Sequence, residues 1–179
     1  MKRENVSVLG STGSIGKNTL DVISRNEDRF RVVALTANRN VEKLAAQCAR
    51  FDPSLAVIAD PALQQDLARA LRQNGARAEV MSGEAGLKEA AGMSGTDTVM
   101  AAIVGAAGLN SAFEAARCGK KILLANKESL VIAGEVFVAE AKKNRARILP
   151  VDSEHNAIFQ ALPDGFEHGL DAAGVEKII

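Results

Sequence analysis

The chain has 179 residues, 47% of them hydrophobic, and a formal net charge of zero from 22 basic and 22 acidic residues. This length fits one large domain or one domain and part of another, and the apolar content excludes wholesale disorder. A nucleic-acid partner is not expected, because the charge is balanced and Trp and Tyr are absent.

Apolar runs of strand length alternate with helical patterns through most of the chain. Strands are predicted at 5–9, 31–36, 55–59, 78–81, 98–104, 121–125 and 147–151. Helices are predicted at 16–25, 41–51, 62–73, 83–91, 110–117 and 129–143. The strands are continuous apolar runs, which is typical of a sheet buried on both faces. Strict alternation therefore predicts an α/β fold of the Rossmann type, with a doubly wound, mostly parallel sheet.

The first predicted strand runs into a glycine-rich turn, Gly10-Ser11-Thr12-Gly13-Ser14-Ile15-Gly16. A helix is predicted to follow from about residue 16, and its N-terminus would attract a pyrophosphate that the glycines allow to approach closely. The hydroxyls of Ser11, Thr12 and Ser14 are further candidate donors. The spacing is GxxGxxG rather than GxGxxG, so an ordinary strand-to-helix turn is the alternative. The context favours a dinucleotide at this turn.

The second predicted strand is followed by Asn38, Arg39 and Asn40. Folds that prefer NAD carry an acidic residue at this point, which binds the ribose hydroxyls. Here the stretch has no carboxylate, and Arg39 suits a 2′-phosphate by charge and by geometry. A solvated loop arginine is the alternative. The sequence predicts NADPH rather than NADH.

Polar side chains also follow the sixth predicted strand, where Asn126, Lys127 and Glu128 stand in a row. Ligands gather at the carboxyl ends of strands in open α/β sheets, so these residues are candidates for a second part of the site. The alternative is a plain helix N-terminus, at which Glu128 complements the helix dipole.

The seventh predicted strand is followed by Asp152 and Glu154. If this stretch is extended, both carboxylates point to one side, and oxygen ligands suit Mg²⁺ or Mn²⁺. The alternative is helix capping by Asp152 or Ser153. For His155, a hydrogen-bonding or packing role is favoured over metal ligation.

Four segments then carry a resemblance: GSTGSIG (10–16), AAIVGAAGL (101–109), LLANKESLV (123–131) and LPVDSEHNAIFQ (149–160). Together and in this order they resemble the 1-deoxy-D-xylulose-5-phosphate reductoisomerase family. The resemblance implies an oxidoreductase of non-mevalonate isoprenoid biosynthesis that converts this sugar phosphate to 2-C-methyl-D-erythritol 4-phosphate. It implies NADPH and a divalent metal, Mn²⁺, Mg²⁺ or Co²⁺, as cofactors, and a homodimer of the intact enzyme. It also implies an NADPH-binding domain at 1–150 and the beginning of a catalytic domain at 151–179.

The resemblance further implies a role for each matched position. The residues expected to contact the cofactor are Thr12, Gly13, Ser14, Ile15, Asn38, Arg39, Asn40, Asn126 and Glu128. Lys127, Ser153 and Glu154 would contact the substrate, with Lys127 and Glu154 as catalytic residues. Asp152 and Glu154 would be metal ligands.

The last residues, 175–179, predict the start of a strand. We therefore expect the chain to be a fragment of a longer protein, able to bind cofactor but inactive alone. No stretch reaches the roughly 18 apolar residues of a membrane-spanning helix, and the N-terminus lacks the pattern of a signal peptide. A cytoplasmic protein without a membrane partner is expected.

Two alternative functions are considered. One is another NADP-dependent dehydrogenase, of the type that needs a nucleophilic Cys near a helix N-terminus. Cys118 lies near the end of its predicted helix, which argues against that class, and both Cys48 and Cys118 are predicted to be buried. The other is a nucleotide-sensing module without catalysis, which has no need of Asp152 and Glu154.

Overall fold

The computed structural model describes residues 3–163, 166 and 169–178. The strands are β1 (Glu4–Leu9), β2 (Phe30–Ala37), β3 (Leu55–Ile58), β4 (Glu79–Ser82), β5 (Thr98–Ala101), β6 (Lys121–Leu124) and β7 (Arg147–Pro150). The helices are α1 (Ser14–Ser24), α2 (Val41–Phe51), α3 (Gln64–Gln73), α4 (Gly83–Gly92), α5 (Leu109–Arg117), α6 (Glu128–Lys143) and α7 (Ser153–Ala161). Single 3-10 turns occupy Pro61–Leu63 and Ala106–Gly108.

The strands form one sheet in the order β4-β3-β2-β1-β5-β6-β7. Each neighbouring pair is parallel. The chain winds outward from β1 to β4, returns to the centre with β5 and then winds outward in the other direction. The predicted doubly wound parallel sheet is confirmed. A fold of this kind opens a crevice at the carboxyl ends of the strands where the winding reverses, here between β1 and β5.

A hydrophobic core lies on each face of the sheet, because successive strand residues point to opposite sides. Val8 packs on one face with Leu35 and Leu44, whereas the next residue, Leu9, packs on the other with Phe137. The second face also buries the small side chains of α5, which are Ala112, Ala115 and Ala116.

Several predicted boundaries shift, and two of the shifts concern the loops at the carboxyl ends of the strands. Helix α1 begins at Ser14 rather than near residue 16, and β5 ends at Ala101 rather than at 104. β5 stops there because Ala101 pairs with Leu9 on one side and with Leu124 on the other. Both partners are the last residues of their strands, so the backbone beyond Ala101 has no ladder to continue. It leaves the sheet as a loop over 102–108.

Helix α6 is interrupted at Ala133, whose φ of −143° and ψ of 28° are not helical. The interruption precedes Gly134, a residue that disfavours helix interiors. It separates the first turns of the helix, which carry candidate site residues, from the part that packs on the core through Phe137 and Ala141.

The end of the described chain differs from the prediction. Residues 175–178 belong to no helix or strand, and residue 179 lies outside the described residues. A lone strand leaves its backbone groups unpaired, and the described residues provide no neighbouring strand for 175–178.

Among the helices in the described part of the chain, none combines the length and the apolar character that a bilayer span requires.

Candidate functional site

Two glycines of the turn after β1 bring strand and helix close together. Gly10 has φ +78°, and a Cβ there would lie 2.8 Å from the backbone oxygen of Ala102. A Cβ on Gly16 would lie 2.4 Å from the oxygen of Gly10 and 2.5 Å from the Cα of Ser11. Contacts this short are sterically forbidden, so only glycine allows α1 to begin against the end of β1.

The N-terminus of α1 is open. Gly13 is the N-cap, with extended backbone, and the first intrahelical bond is donated by Lys17 N to Gly13 O at 3.0 Å. The amides of Ser14, Ile15 and Gly16 therefore have no acceptor within the helix. Free amides and the positive end of the helix dipole make this terminus suited to an anion.

Ser11, one of the predicted hydroxyl donors, has a structural role instead. Its side chain is buried, and its Oγ lies 3.1 Å from Thr36 O and 2.7 Å from Gln47 Oε1. Gln47 Nε2 in turn donates to Ser11 O at 2.9 Å. The prediction that Ser11 faces a phosphate is wrong, because its hydroxyl is used to fasten the turn to β2 and α2. Thr12 is half-buried and Ser14 is exposed.

A cleft of about 330 Å³ opens beside this turn. Its walls are the turn itself, the end of β2, and the loop after β5, and the residues that line it include Thr12, Gly13, Ser14, Ile15, Asn38, Ile103 and Val104. It lies at the reversal of winding between β1 and β5, where the fold predicts a ligand. The structure thus brings five of the predicted cofactor residues to one cleft.

Arg39 follows β2 at the edge of this region, and its side chain is 69% exposed. Its Nη1 pairs with a carboxylate oxygen of Asp60, a residue that sequence reasoning missed. Asp60 follows β3, whereas the carboxylate typical of NAD-binding folds follows β2. Strand adjacency would have located it, because β2 and β3 are parallel neighbours that end together.

Asn40, predicted to lie near the 2′-phosphate, is also the N-cap of α2. Its Oδ1 accepts a hydrogen bond from Lys43 N at 3.0 Å. This bond satisfies one of the free amides of the helix and fixes the loop that carries Arg39.

Asn126 is buried beneath the loop after β5. Its Nδ2 donates to Gly105 O at 3.0 Å, and a Cβ on Gly108 would come within 2.4 Å of that nitrogen. Its Oδ1, like the nearby buried Ser129 Oγ, has no hydrogen-bond partner among the described residues. An orphaned buried acceptor is costly unless a water or a ligand donates to it. This fits a ligand-binding role for Asn126.

Lys127 and Glu154, the two predicted catalytic residues, lie together in space. Lys127 is the N-cap of α6, and its Nζ is 3.6 Å from Glu154 Oε2. Both side chains are well exposed. Glu128 is exposed in the first turn of α6, the position at which a carboxylate complements the helix dipole.

The geometry assumed for the two metal ligands is wrong, because the backbone is helical from Ser153 onward. Asp152 is the N-cap of α7, and its carboxylate accepts from His155 N at 3.4 Å and contacts His155 Nδ1 at 2.5 Å. Glu154 lies in the first turn. Asp152 therefore caps a helix, which was the alternative considered for it, and His155 has the hydrogen-bonding role predicted for it.

Both carboxylates are nevertheless ionised at neutral pH. Burial raises the pKa of Asp152, but the hydrogen bonds from the side chain and backbone of His155 outweigh it and lower the pKa. The pKa of Glu154 is lowered by its own backbone amide, by the Ser153 hydroxyl and by Lys127. Ionised oxygens are what a hard cation requires. Groups of three His, Cys, Asp or Glu side chains that could hold one metal ion do not occur in the described part of the chain, so it offers a cation at most two side chains of these types.

The cysteines do not form a nucleophilic centre. Cys48 is buried, which raises its pKa to about 12. Cys118 is exposed, contrary to prediction, because it lies beyond the stripe of α5 that faces the core through Ala115 and Ala116. Partial burial and its contact with Glu114 raise the pKa of Cys118 as well. A thiol at a helix C-terminus with a raised pKa is a poor nucleophile, which argues against a thiol-dependent dehydrogenase.

The chain is similar to known proteins over most of its length. The family model for 1-deoxy-D-xylulose 5-phosphate reductoisomerase matches residues 6–134. The 1-deoxy-D-xylulose 5-phosphate reductoisomerase of Nitrosospira multiformis is 53% identical over 175 residues, which is 98% of this chain and 44% of that protein. The chain therefore spans less than half the length of this curated relative.

Solved structures give the same result. The crystal structure of DOX-P reductoisomerase in complex with NADPH, fosmidomycin and magnesium has a TM-score of 0.90 and 46% identity, covering 94% of this chain and 41% of that one. The 1-deoxy-D-xylulose 5-phosphate reductoisomerase from Zymomonas mobilis in complex with NADPH has a TM-score of 0.88 and 51% identity, covering 93% of this chain and 43% of that one.

Proposed function

Because the chain belongs to the 1-deoxy-D-xylulose 5-phosphate reductoisomerase family, we propose that it is the NADPH-binding part of such an enzyme. The full-length protein converts 1-deoxy-D-xylulose 5-phosphate to 2-C-methyl-D-erythritol 4-phosphate. The observation that carries the proposal is the cleft at the reversal of winding, where the open N-terminus of α1 meets the end of β2 and the loop after β5.

The residues present fit a dinucleotide. Gly10 and Gly16 keep the turn free of side chains, and the free amides of Ser14 and Ile15 suit the pyrophosphate. The hydroxyls of Thr12 and Ser14 add donors. On the adenosine side, Arg39 holds the 2′-phosphate, between Asn38 and Asn40.

Residues at and just before the N-termini of α6 and α7 hold the rest of the site. Asn126, whose Oδ1 has no hydrogen-bond partner among the described residues, and Glu128 contact the cofactor. Lys127 and Ser153 bind the sugar phosphate, and Glu154 joins Asp152 in holding the divalent cation. The ammonium of Lys127 stabilises negative charge that develops on a substrate oxygen. NADPH supplies a hydride and the bound cation supplies Lewis acidity.

The proposal divides the chain into a cofactor domain at 1–150 and the first part of a catalytic domain at 151–179. The chain binds NADPH by itself but does not turn substrate over, because its described residues offer a cation at most two side chains of the His, Cys, Asp or Glu type. The proposal also includes a cytoplasmic location and a homodimer of the full-length enzyme. No nucleic-acid or membrane partner is proposed.

The test is a titration of the purified chain with NADPH and, separately, with NADH, followed by nicotinamide fluorescence. We expect saturable binding that favours NADPH over NADH by about tenfold or more. A preference of this size corresponds to roughly one charge-assisted hydrogen bond. Binding of neither coenzyme contradicts the proposal that this chain is an autonomous cofactor domain. Oxidation of NADPH in the presence of substrate and Mn²⁺ contradicts the proposal that it is inactive alone.

The metal assignment has its own test, the binding of Mn²⁺ followed by electron paramagnetic resonance. Asp152→Asn is expected to weaken Mn²⁺ binding, because it removes one of two anionic ligands. The matched control is Asp171→Asn, which changes an exposed carboxylate elsewhere. Equal Mn²⁺ binding by wild type and Asp152→Asn would favour a nucleotide-sensing module.

A further inference from the structure

We propose that Asp60 is a second coenzyme-specificity residue, and that the Arg39–Asp60 ion pair rather than Arg39 alone sets the preference for NADPH over NADH. The inference rests on the proposed NADPH-binding function and deepens it. Asp60 belongs to none of the segments that suggested the cofactor site.

The backbone fixes Asp60 beside the end of β2. Ala59 N donates to Ala37 O at 2.8 Å and Asp60 N donates to Asn38 O at 3.2 Å, so the two chain segments stay paired beyond the strands. NAD-binding folds carry a carboxylate at the end of β2. Here a carboxylate also lies beside the end of β2, but it belongs to the segment that follows β3.

The carboxylate itself is also held in place. Its Oδ1 accepts a hydrogen bond from Ala62 N at 3.0 Å, which caps the 3-10 turn, and its other oxygen pairs with Arg39 Nη1. The Asp60 side chain is 22% exposed, whereas that of Arg39 is 69% exposed. The fixed partner of the pair is therefore Asp60, and the guanidinium is oriented by it.

This arrangement gives Arg39 two functions. A guanidinium has five N–H donors, so pairing through Nη1 leaves other donors for a 2′-phosphate. At the same time Arg39 neutralises Asp60. Without Arg39, the carboxylate is uncompensated: it repels a 2′-phosphate and is free to accept a hydrogen bond from the ribose 2′-hydroxyl of NADH.

The coupling predicts how two substitutions combine. Arg39→Ala is expected to lower the affinity for NADPH and to raise the ratio of NADH affinity to NADPH affinity, so that the preference for NADPH is lost or reversed. Asp60→Asn keeps an oxygen acceptor for Ala62 N and removes only the charge. In the Arg39→Ala background it is expected to restore NADPH affinity by about three- to tenfold, as removal of a like charge at close range in water does. The restoration shrinks at high salt, because exposed charges are screened.

The experiment is a double-mutant cycle on the full chain: wild type, Arg39→Ala, Asp60→Asn and the double variant. Calorimetry measures binding of NADPH and NADH, and of 2′,5′-ADP and 5′-AMP, which report the adenosine side alone. Circular dichroism and thermal melting check that each variant folds. The matched control cycle uses Arg69→Ala and Asp66→Asn, an exposed pair on α3 at 3.3 Å, and is expected to change no affinity.

The inference is supported if the effect of Arg39→Ala on the NADPH-to-NADH affinity ratio differs by at least about threefold between the two Asp60 backgrounds. It is overturned if the ratio changes equally in both backgrounds, since Arg39 then acts alone; NADPH preference in the wild type would still stand in that case. Binding of neither coenzyme by the wild type would remove the proposed function and this inference together.

Discussion

At Gly16, helix α1 packs so closely against the turn after β1 that there is no room for a side chain. A Cβ there would lie 2.4 Å from Gly10 O, an atom of the backbone that cannot rotate away. Gly16→Ala is therefore expected to push α1 off the turn and to cost about 1–3 kcal/mol of unfolding free energy, as overpacking does. Because the displaced amides are those proposed to bind the pyrophosphate, NADPH affinity should fall by about tenfold or more.

Urea unfolding and NADPH titration measure these two effects. Gly95→Ala is the matched control, because a Cβ at Gly95 meets no atom within 4 Å. The control should leave stability and affinity unchanged. A Gly16→Ala variant with wild-type stability would show that α1 is not held as tightly as the contacts indicate.

At the same scale, sequence reasoning located the parts of the site that depend on local chain order. Thr12, Gly13, Ser14, Ile15 and Asn38 lie on one cleft, as the motif around β1 and the end of β2 predicted. The roles of Ser11 and Asp60 could not be foreseen locally. Ser11 depends on Gln47 of α2, and Asp60 depends on Arg39, which follows β2. Such pairings follow from the topology of the fold rather than from the spacing of residues along the sequence.

Among the elements, the loop over 102–108 depends on a side chain from outside it. Asn126, which follows β6, donates to Gly105 O at 3.0 Å, and Gly105 itself has φ +70°. Asn126→Ala removes this bond from a part-buried carbonyl, which keeps only the hydrogen bond from Gly108 N at 3.2 Å, and the loss is expected to cost about 0.5–1.5 kcal/mol. Because the loop forms a wall of the cleft through Ile103 and Val104, NADPH affinity should fall as well.

Thermal unfolding and amide hydrogen exchange over 102–108 measure this loss. Asn110→Ala is the control, because Asn110 makes an exposed hydrogen bond to Glu84 at 3.0 Å and should contribute less than about 0.5 kcal/mol. Unchanged exchange in the loop of Asn126→Ala would mean that the loop is held by its own backbone.

The order and type of the elements from β1 to β7 could be predicted from the sequence because a buried parallel strand is a continuous apolar run and each one ends at a helix signal. Helix α7 was foreseen only as the capping alternative for Asp152. Their ends were harder to predict. The apolar run Ile103–Val104 continues past β5, yet the strand stops at Ala101 when its two partners end. Similarly, the spacing of Asp152 and Glu154 fits an extended strand, but the hydrogen bond from His155 N starts a helix there.

Considered as a whole, the sheet carries one electrostatic tie at the edge opposite the cleft. Glu4, at the start of β1, pairs with Lys121 on β6 and accepts a hydrogen bond from Thr98 on β5. Three adjacent strands, β1, β5 and β6, are thus joined at their amino ends, opposite the edge at which the cleft opens.

This pairing makes the stability of the sheet depend on pH. Burial raises the pKa of Glu4, but hydrogen bonds from Lys121 and Thr98 outweigh it, so the pKa falls below its ordinary value of 4.5. A carboxylate whose pKa is lowered by folding stabilises the native state above its unfolded pKa and loses that contribution as the pH falls through its folded pKa.

Glu4→Gln should therefore lower the free energy of unfolding by about 0.5–1 kcal/mol at pH 7, a value typical of a partly exposed pair. The difference from wild type should shrink as the pH falls below the ordinary pKa of a glutamate and vanish once the pH lies below the lowered pKa of folded Glu4, where the wild-type carboxyl is protonated too. Urea unfolding between pH 3 and pH 7, with the exposed Glu79→Gln as control, measures it; a difference that persists or grows in acid would mean that Glu4 acts through packing and not through its charge.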